Sequence, residues 1–152
     1  MTVRVQTEAF DAGALLADFS QGRSDIGAVV SFTGIARGAS GGQAVTTLEL
    51  DAYPGFTEPT IEAMEAQARA RFAAMEVLIV HRYGPIASGE AIVFVACAAT
   101  HRRAAFEAAD FLMDRLKTQA PFWKKETGPD GERWIEPRPS DYEDVERWSR
   151  TP

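Results

Sequence analysis

Between residues 116 and 134 the chain reads LKTQAPFWKKETGPDGERW, with three lysines and three aromatics and with Pro121 ahead of two of the lysines and all of the aromatics. Ammonium groups at Lys117 and Lys124 could clamp an anion or polarise a reacting carbonyl if the backbone brings them together. The apolar spacing before Lys117 is helical, and Pro121 forbids that helix from continuing. Ala120, preceding the proline, is pushed into an extended conformation. Residues 122–127 then read as a strand, TGPDGE as a hairpin turn and residues 133–135 as the return strand. Alternate side chains of a strand share a face, so Lys124 and Glu126 point one way while Trp123 and Lys125 point the other. The corner therefore brings Lys117 and Lys124 near one another, where they repel unless an anion or a reacting carbonyl sits between them. Glu126 reads as an ion-pair partner of one lysine, or as the group that holds Lys124 and shuttles a proton.

Other basic residues could join them. His101, Arg102 and Arg103 stand at the start of the third helix, where free N–H groups and the helix dipole favour an anion. A solvated basic turn is the alternative reading. Arg37 follows a strand and precedes the Gly-rich GASGGQ loop, a common location for a ligand contact. That loop lacks the GxxxxGK[ST] pattern, which excludes a P-loop. His81, at the end of a buried strand, reads as a structural histidine. Two histidines without suitably spaced carboxylates argue against a metal site. Cys97 lies within AIVFVACA and reads as a buried thiol and a poor nucleophile. As the single cysteine it excludes an internal disulfide and suits a reducing compartment.

The elements that must position these groups follow from pattern. A chain of 152 residues suits one domain over residues 1–152 and needs no disulfide or metal staple. A net charge of −6 and a pI near 4.9 argue against general nucleic-acid binding. The charge is segregated: residues 101–125 carry six Lys/Arg against three Asp/Glu, a net of +3, and residues 126–152 carry four against eight, a net of −4. No apolar run has the length of a signal peptide or a membrane span, so a cytoplasmic protein without membrane attachment is expected. Strands are expected at residues 2–7, at 27–34 as a core strand, at 45–53 with one wet face, at 77–80 and at 91–98. Helices are expected after an Asp11 cap, from a Thr57 cap to about Ala74, and from His101 or Thr100 to about Thr118. The third buries Ala105, Ala108, Ala109, Leu112 and Leu116 and places Met113 one turn below Lys117. Tyr142, Val145 and Trp148 are docking residues of a short last helix. Strands and helices mix without regular βαβ alternation, so the fold class is α+β.

GAVVSFTGIAR, LELDAYPGFTE, IVHRYGPIASGEAIVFV, THRRAAFEAADFLMDRLKTQAPFWKKE and RWIEPRPSD occur in that order along nearly the whole chain. In this it resembles the large, catalytic subunit of molybdopterin synthase, with LKTQAPFWKKE the most specific signature; Ala36 and Gln119 depart from the usual pattern. The resemblance implies an α/β hammerhead with an additional antiparallel β-sheet. It implies sulfur transfer from the C-terminal thiocarboxylate of a small ubiquitin-like subunit to cyclic pyranopterin monophosphate, forming the dithiolene of molybdopterin. It also implies a homodimer within a heterotetramer, with no cofactor. By the same resemblance Lys117 and Lys124 are the active-site lysines, and Arg37, His101 and Arg102 contact the anion. Lys125 and Glu126 extend the substrate-contacting run, and Met113 and Arg138 line the pocket. The His–Arg pair can belong to the chain's own pocket or to that of a second protomer. Two other readings fit the basic pocket: a phosphate-ester transferase or hydrolase, and a non-catalytic receptor for a ubiquitin-like tail.

Overall fold

The computed structural model describes residues 3–74, 76–136 and 139–149. Strands β1 (Val3–Gln6), β2 (Ala28–Ile35), β6 (Glu76–Arg82) and β8 (Ala91–Ala99) form one sheet in the order β1-β6-β8-β2. Only the β1–β6 pair in it is parallel. β8 is apolar throughout, and β6 is apolar from Val77 to Val80, because helices cover both faces. Val77 and Ile79 of β6, with Val93, Val95 and Cys97 of β8, pack against α2 (Thr57–Phe72) and α3 (Arg102–Gln119). Leu78, Val80, Phe94, Ala96 and Ala98 alternate with them and face α1 (Ala12–Ser20), where Phe19 is buried. A strand buried on both faces reads as a continuous apolar run, as AIVFVACA does.

A second, wholly antiparallel sheet runs in the order β10-β9-β5-β7. It comprises β5 (Thr47–Ala52), β7 (Gly84–Ala87), β9 (Phe122–Gly128) and β10 (Gly131–Ile135). This is the additional sheet that the resemblance implies, and the mixed α+β architecture is as expected. Leu50 and Ile86 are fully buried beneath it, beside Ala36 and Phe122. The tail forms α4 (Pro139–Glu146) and a 3₁₀ turn at Arg147–Ser149. Trp148 packs edge-on against Phe72 and Phe111, and its indole N–H donates to Asp114 Oδ2 at 2.6 Å.

Several elements differ from their sequence reading. The strand expected in the core, β2, is an edge strand of the first sheet, and Phe32 and Ile35 stand exposed on it. Gly84-Pro85, where no strand was expected, opens β7; the proline is tolerated because β7 is itself an edge. The GASGGQ stretch, read as a loop, forms a miniature hairpin of β3 (Ala39–Ser40) and β4 (Gln43–Ala44). Gly41 and Gly42 turn it with φ of 58° and 79°, a conformation open to glycine at little cost. Asp11 caps α1 as expected, accepting from Ala14 N at 3.1 Å. Thr57 does not cap α2. Its hydroxyl accepts from Tyr53 N at 2.8 Å and donates to the carbonyl of Pro121 at 3.1 Å, so the start of α2 is tied to the proline corner.

Candidate active site

The corner forms as the sequence requires. Lys117 lies in the last turn of α3, Ala120 is extended with φ −69° and ψ 131°, and β9 begins one residue after Pro121. Leu112 and Leu116 bury the helix face beside Met113 and Lys117 and so fix its rotation. The register of β9 then places Lys124 between Leu50 of β5 and Ile135 of β10, both apolar. Phe122, two residues earlier, turns the same way and lies flat on the imidazole of His81.

These elements enclose a cavity of about 250 Å³ whose walls include Phe32, Ile35, Leu48, Ile92, Phe122 and Ile135. Lys117, Lys124, Met113 and His81 also line it, with Tyr142 at its border. An adjoining cavity of about 130 Å³ shares Lys117 and Lys124 and adds Arg37, Ser40 and Glu126. One chain thus gathers four of the expected polar groups, Lys117, Lys124, Arg37 and Glu126, together with Met113.

Burial pushes the Lys124 ammonium down from 10.5 to about 8, and repulsion from Lys117 adds to the effect. Asp141 and Glu126 act in the opposite direction. Burial likewise holds His81 near 4, against a raising contact from the Arg82 carbonyl and lowering fields from Lys124 and Lys117. Its Nδ1 lies 2.8 Å from that carbonyl, which can only accept. The neutral ring is therefore the Nδ1–H tautomer, and Nε2 is left as an acceptor. Burial raises the Cys97 thiol to about 12, which leaves the protein's cysteine inert.

The remaining expected residues lie elsewhere. His101 and Arg102 sit exposed at the opposite end of α3, about 24 Å along the helix axis from Lys117. They do not reach the pocket of their own chain. Lys125 occupies the other face of β9, 3.5 Å from both Glu49 and Glu132 and over the ring of Trp134. The charges of Glu132 and then Glu49 raise its pKa. Arg138 lies outside the described residues.

Two residues at the site had no functional reading in the sequence. His81 was read as structural, yet it lines the cavity. Arg133 stands directly across from Glu126 in the β9–β10 register, with its Nη2 4.0 Å from the Glu126 carboxylate. The two-residue turn at Pro129-Asp130 fixes that register and was the signal available for it.

Fold and site together define a mixed α+β protein in which an apolar cavity holds a confined lysine pair beside an arginine. The family described as MoaE protein matches residues 5–119, and the chain belongs to that family. It is 54% identical over 150 residues to the molybdopterin synthase catalytic subunit of Caulobacter vibrioides, covering 99% of each chain. Among solved structures it is similar to the molybdopterin biosynthesis MoaE protein of Burkholderia ambifaria, with a TM-score of 0.81, 43% identity and 99% of each chain covered. The fold is shared with a chain in the complex of subunits 1 and 2 of the molybdopterin-converting factor from Helicobacter pylori, with a TM-score of 0.76 and 19% identity. That match covers 91% of this chain and 92% of the other.

Proposed function

We propose that this chain is the catalytic subunit of a molybdopterin synthase, a sulfurtransferase. It moves sulfur from the C-terminal thiocarboxylate of a small ubiquitin-like subunit to cyclic pyranopterin monophosphate, forming the dithiolene of molybdopterin. The observation that carries the reading is the pair Lys117 and Lys124, brought into one apolar cavity by a helix end and a strand, where the charge of Lys117 bears on Lys124. Thiocarboxylate and phosphate are both anions and repel each other. A desolvated cationic pocket neutralises both and brings them into attacking distance.

Lys117 orients the thiocarboxylate. Once its sulfur has bonded to the pterin, Lys117 stabilises charge on the carbonyl as water adds and the C–S bond breaks, releasing the tail as a carboxylate. Lys124, with a pKa near 8, is matched to proton donation at neutral pH. Glu126 steadies it, Arg37 holds the substrate phosphate from the adjoining cavity, and Met113 packs against the ligand. By the family resemblance Arg138 and Lys125 also take part in substrate binding. Since His101 and Arg102 are remote from their own pocket, they serve the pocket of a second protomer in a homodimer, within a heterotetramer. Nothing in the reaction calls on a cofactor or on the buried Cys97, since the partner supplies the sulfur. No helix among the described residues is long and apolar enough to cross a membrane. The single domain of residues 1–152 works in the cytoplasm.

Reconstitution tests the whole reading. The purified chain, a thiocarboxylated small subunit and cyclic pyranopterin monophosphate should yield molybdopterin, detected as its fluorescent oxidation product, only when all three are present. Tight binding of the small subunit without product would favour an inactive receptor. Mixed dimers of an Arg102→Ala chain and a Lys117→Ala chain should regain turnover that neither parent has. Absence of that rescue would return His101 and Arg102 to another role.

A further inference from the structure

We propose that Arg133 is a positioning residue for the lysine pair: it fastens the glycine hairpin to Glu126 and keeps that carboxylate from neutralising Lys124. Its bearing on turnover rests on the function proposed above; its bearing on Lys124 does not.

The guanidinium makes three contacts in three directions. Nη2 donates to the carbonyl of Ser40 at 2.6 Å, Nη1 donates to Oε1 of Gln43 at 2.7 Å, and Nη2 lies 4.0 Å from Glu126 Oε2. The β3–β4 hairpin needs such a tie, because strands of two residues joined by two glycines do not hold together alone. One face of the hairpin carries Ser40, which lines the smaller cavity with Arg37, Glu126, Lys117 and Lys124. Arg133 therefore fixes part of the cavity wall while touching the carboxylate that borders it.

Within the second sheet, two cations stand on the Glu126 side among the described residues. Lys124 shares its face of β9, and Arg133 stands opposite on β10. The Glu126 side chain is only 11% exposed, so water screens its field at the buried Lys124 poorly, while the Arg133 side chain is 38% exposed. Other charges also face Lys124: Lys117 from α3 depresses its proton affinity, and Asp141 from α4 raises it. Neutral His81 lines the same cavity, and Arg37 borders the adjoining one. Against that set the Arg133 guanidinium competes for Glu126 and offsets its negative field, which favours the low proton affinity of Lys124.

Lysine-labelled protein, with the Lys124 13Cε signal assigned by its loss in Lys124→Arg, gives the titration directly and needs no substrate. Arg133→Met should move the Lys124 midpoint up by about 0.5 pH or more. Arg133→Lys should move it less. Arg133→Gln, which keeps N–H donors but no charge, should shift the midpoint while disturbing the hairpin less. In a Glu126→Gln background the Met substitution should lose most of its effect. Amide exchange at residues 39–44 should quicken in Arg133→Met. In the reconstituted system that variant should lose several-fold in kcat and move its alkaline limb with the same sign. An unmoved Lys124 midpoint in folded Arg133→Met and Arg133→Gln chains overturns the inference. A wild-type chain without turnover would instead overturn the proposed function, and the titration would still decide the role of Arg133.

Discussion

The imidazole of His81 lies flat on the phenyl ring of Phe122, centroids 4.1 Å apart and planes 18° from parallel. This stack joins the end of β6 to the start of β9 and forms the wall from which Lys124 projects. The ring is buried and neutral, with its pKa lowered from 6.5 to about 4 chiefly by desolvation. Since the unfolded chain takes up the proton first, stability is full above about pH 6.5 and falls as the pH drops toward 4. The shift corresponds to about 3 kcal/mol at most. Urea unfolding at pH 7 and pH 4.5 should show that loss in the wild type. His81→Phe keeps a ring on Phe122 and removes the titration, so its acid-side loss should be smaller by about 2 kcal/mol. Equal losses in both proteins would rule out His81 as a source.

Lys124 should lower stability where it serves function. Its folded pKa of about 8 lies below the ordinary 10.5, so the folded state opposes the charge. Stability is reduced below pH 8 and recovers as the pH rises toward 10.5. Lys124→Met relieves burial of a charge and its repulsion from Lys117 at once. We expect it to unfold at higher denaturant at pH 7, by about 1–2 kcal/mol, while abolishing turnover. A less stable Met variant would mean that Asp141 and Glu126 outweigh the repulsion.

Gly128 is the residue of β9 that the glycine hairpin crosses. A Cβ there would meet the carbonyl oxygen of Ala44 at 2.1 Å, and the obstacle is backbone rather than a flexible side chain. Gly128→Ala should cost about 1–3 kcal/mol and should also lower kcat, because it displaces β4 and with it the paired Ser40 of β3, which lines the smaller cavity. Thermal unfolding together with turnover checks both; lost stability at full kcat would detach the hairpin from the site.

Cys97 is fully buried in β8 with a thiol raised to about 12. A thiol reagent should leave the native protein unlabelled at pH 7.5 and modify it fully in denaturant. Cys97→Ala should keep turnover within about twofold at a cost of about 1–2 kcal/mol in stability. Lost turnover in a folded variant would give this sulfur a part in the reaction.

Much of the architecture could be read in the sequence because its signals are local. Helical spacing before Pro121, the proline itself and the GPDG turn specify the corner at Lys117 and Lys124, and both lysines line the cavity. The failures were long-range. GAVVSFTG has the composition of a core strand, but its place at a sheet edge depends on pairing order, which composition does not encode. β7 and the β3–β4 hairpin were missed because Gly and Pro mark breaks as readily as edge strands and tight turns. His101 and Arg102 share a helix with Lys117, and within one chain that helix keeps them at its far end. Arg133 needed the hairpin register as well as the residue.

The lysine pair makes a last prediction that separates its two members. If Lys124 acts as an ammonium donor, the reconstituted rate should fall above about pH 8, where that group loses its proton. Lys117 contributes to the low value by repulsion, so Lys117→Met should raise the Lys124 midpoint toward 10.5. Burial remains, and the midpoint should stop short of that value. The variant should bind the small subunit yet lose turnover by about 10²-fold or more, as expected on removing a group that stabilises developing charge. A 13Cε titration of Lys124 in Lys117→Met reads the coupling without depending on catalysis. A midpoint unchanged from wild type would mean that the two ammonium groups do not sense each other, and the anion between them would no longer be required.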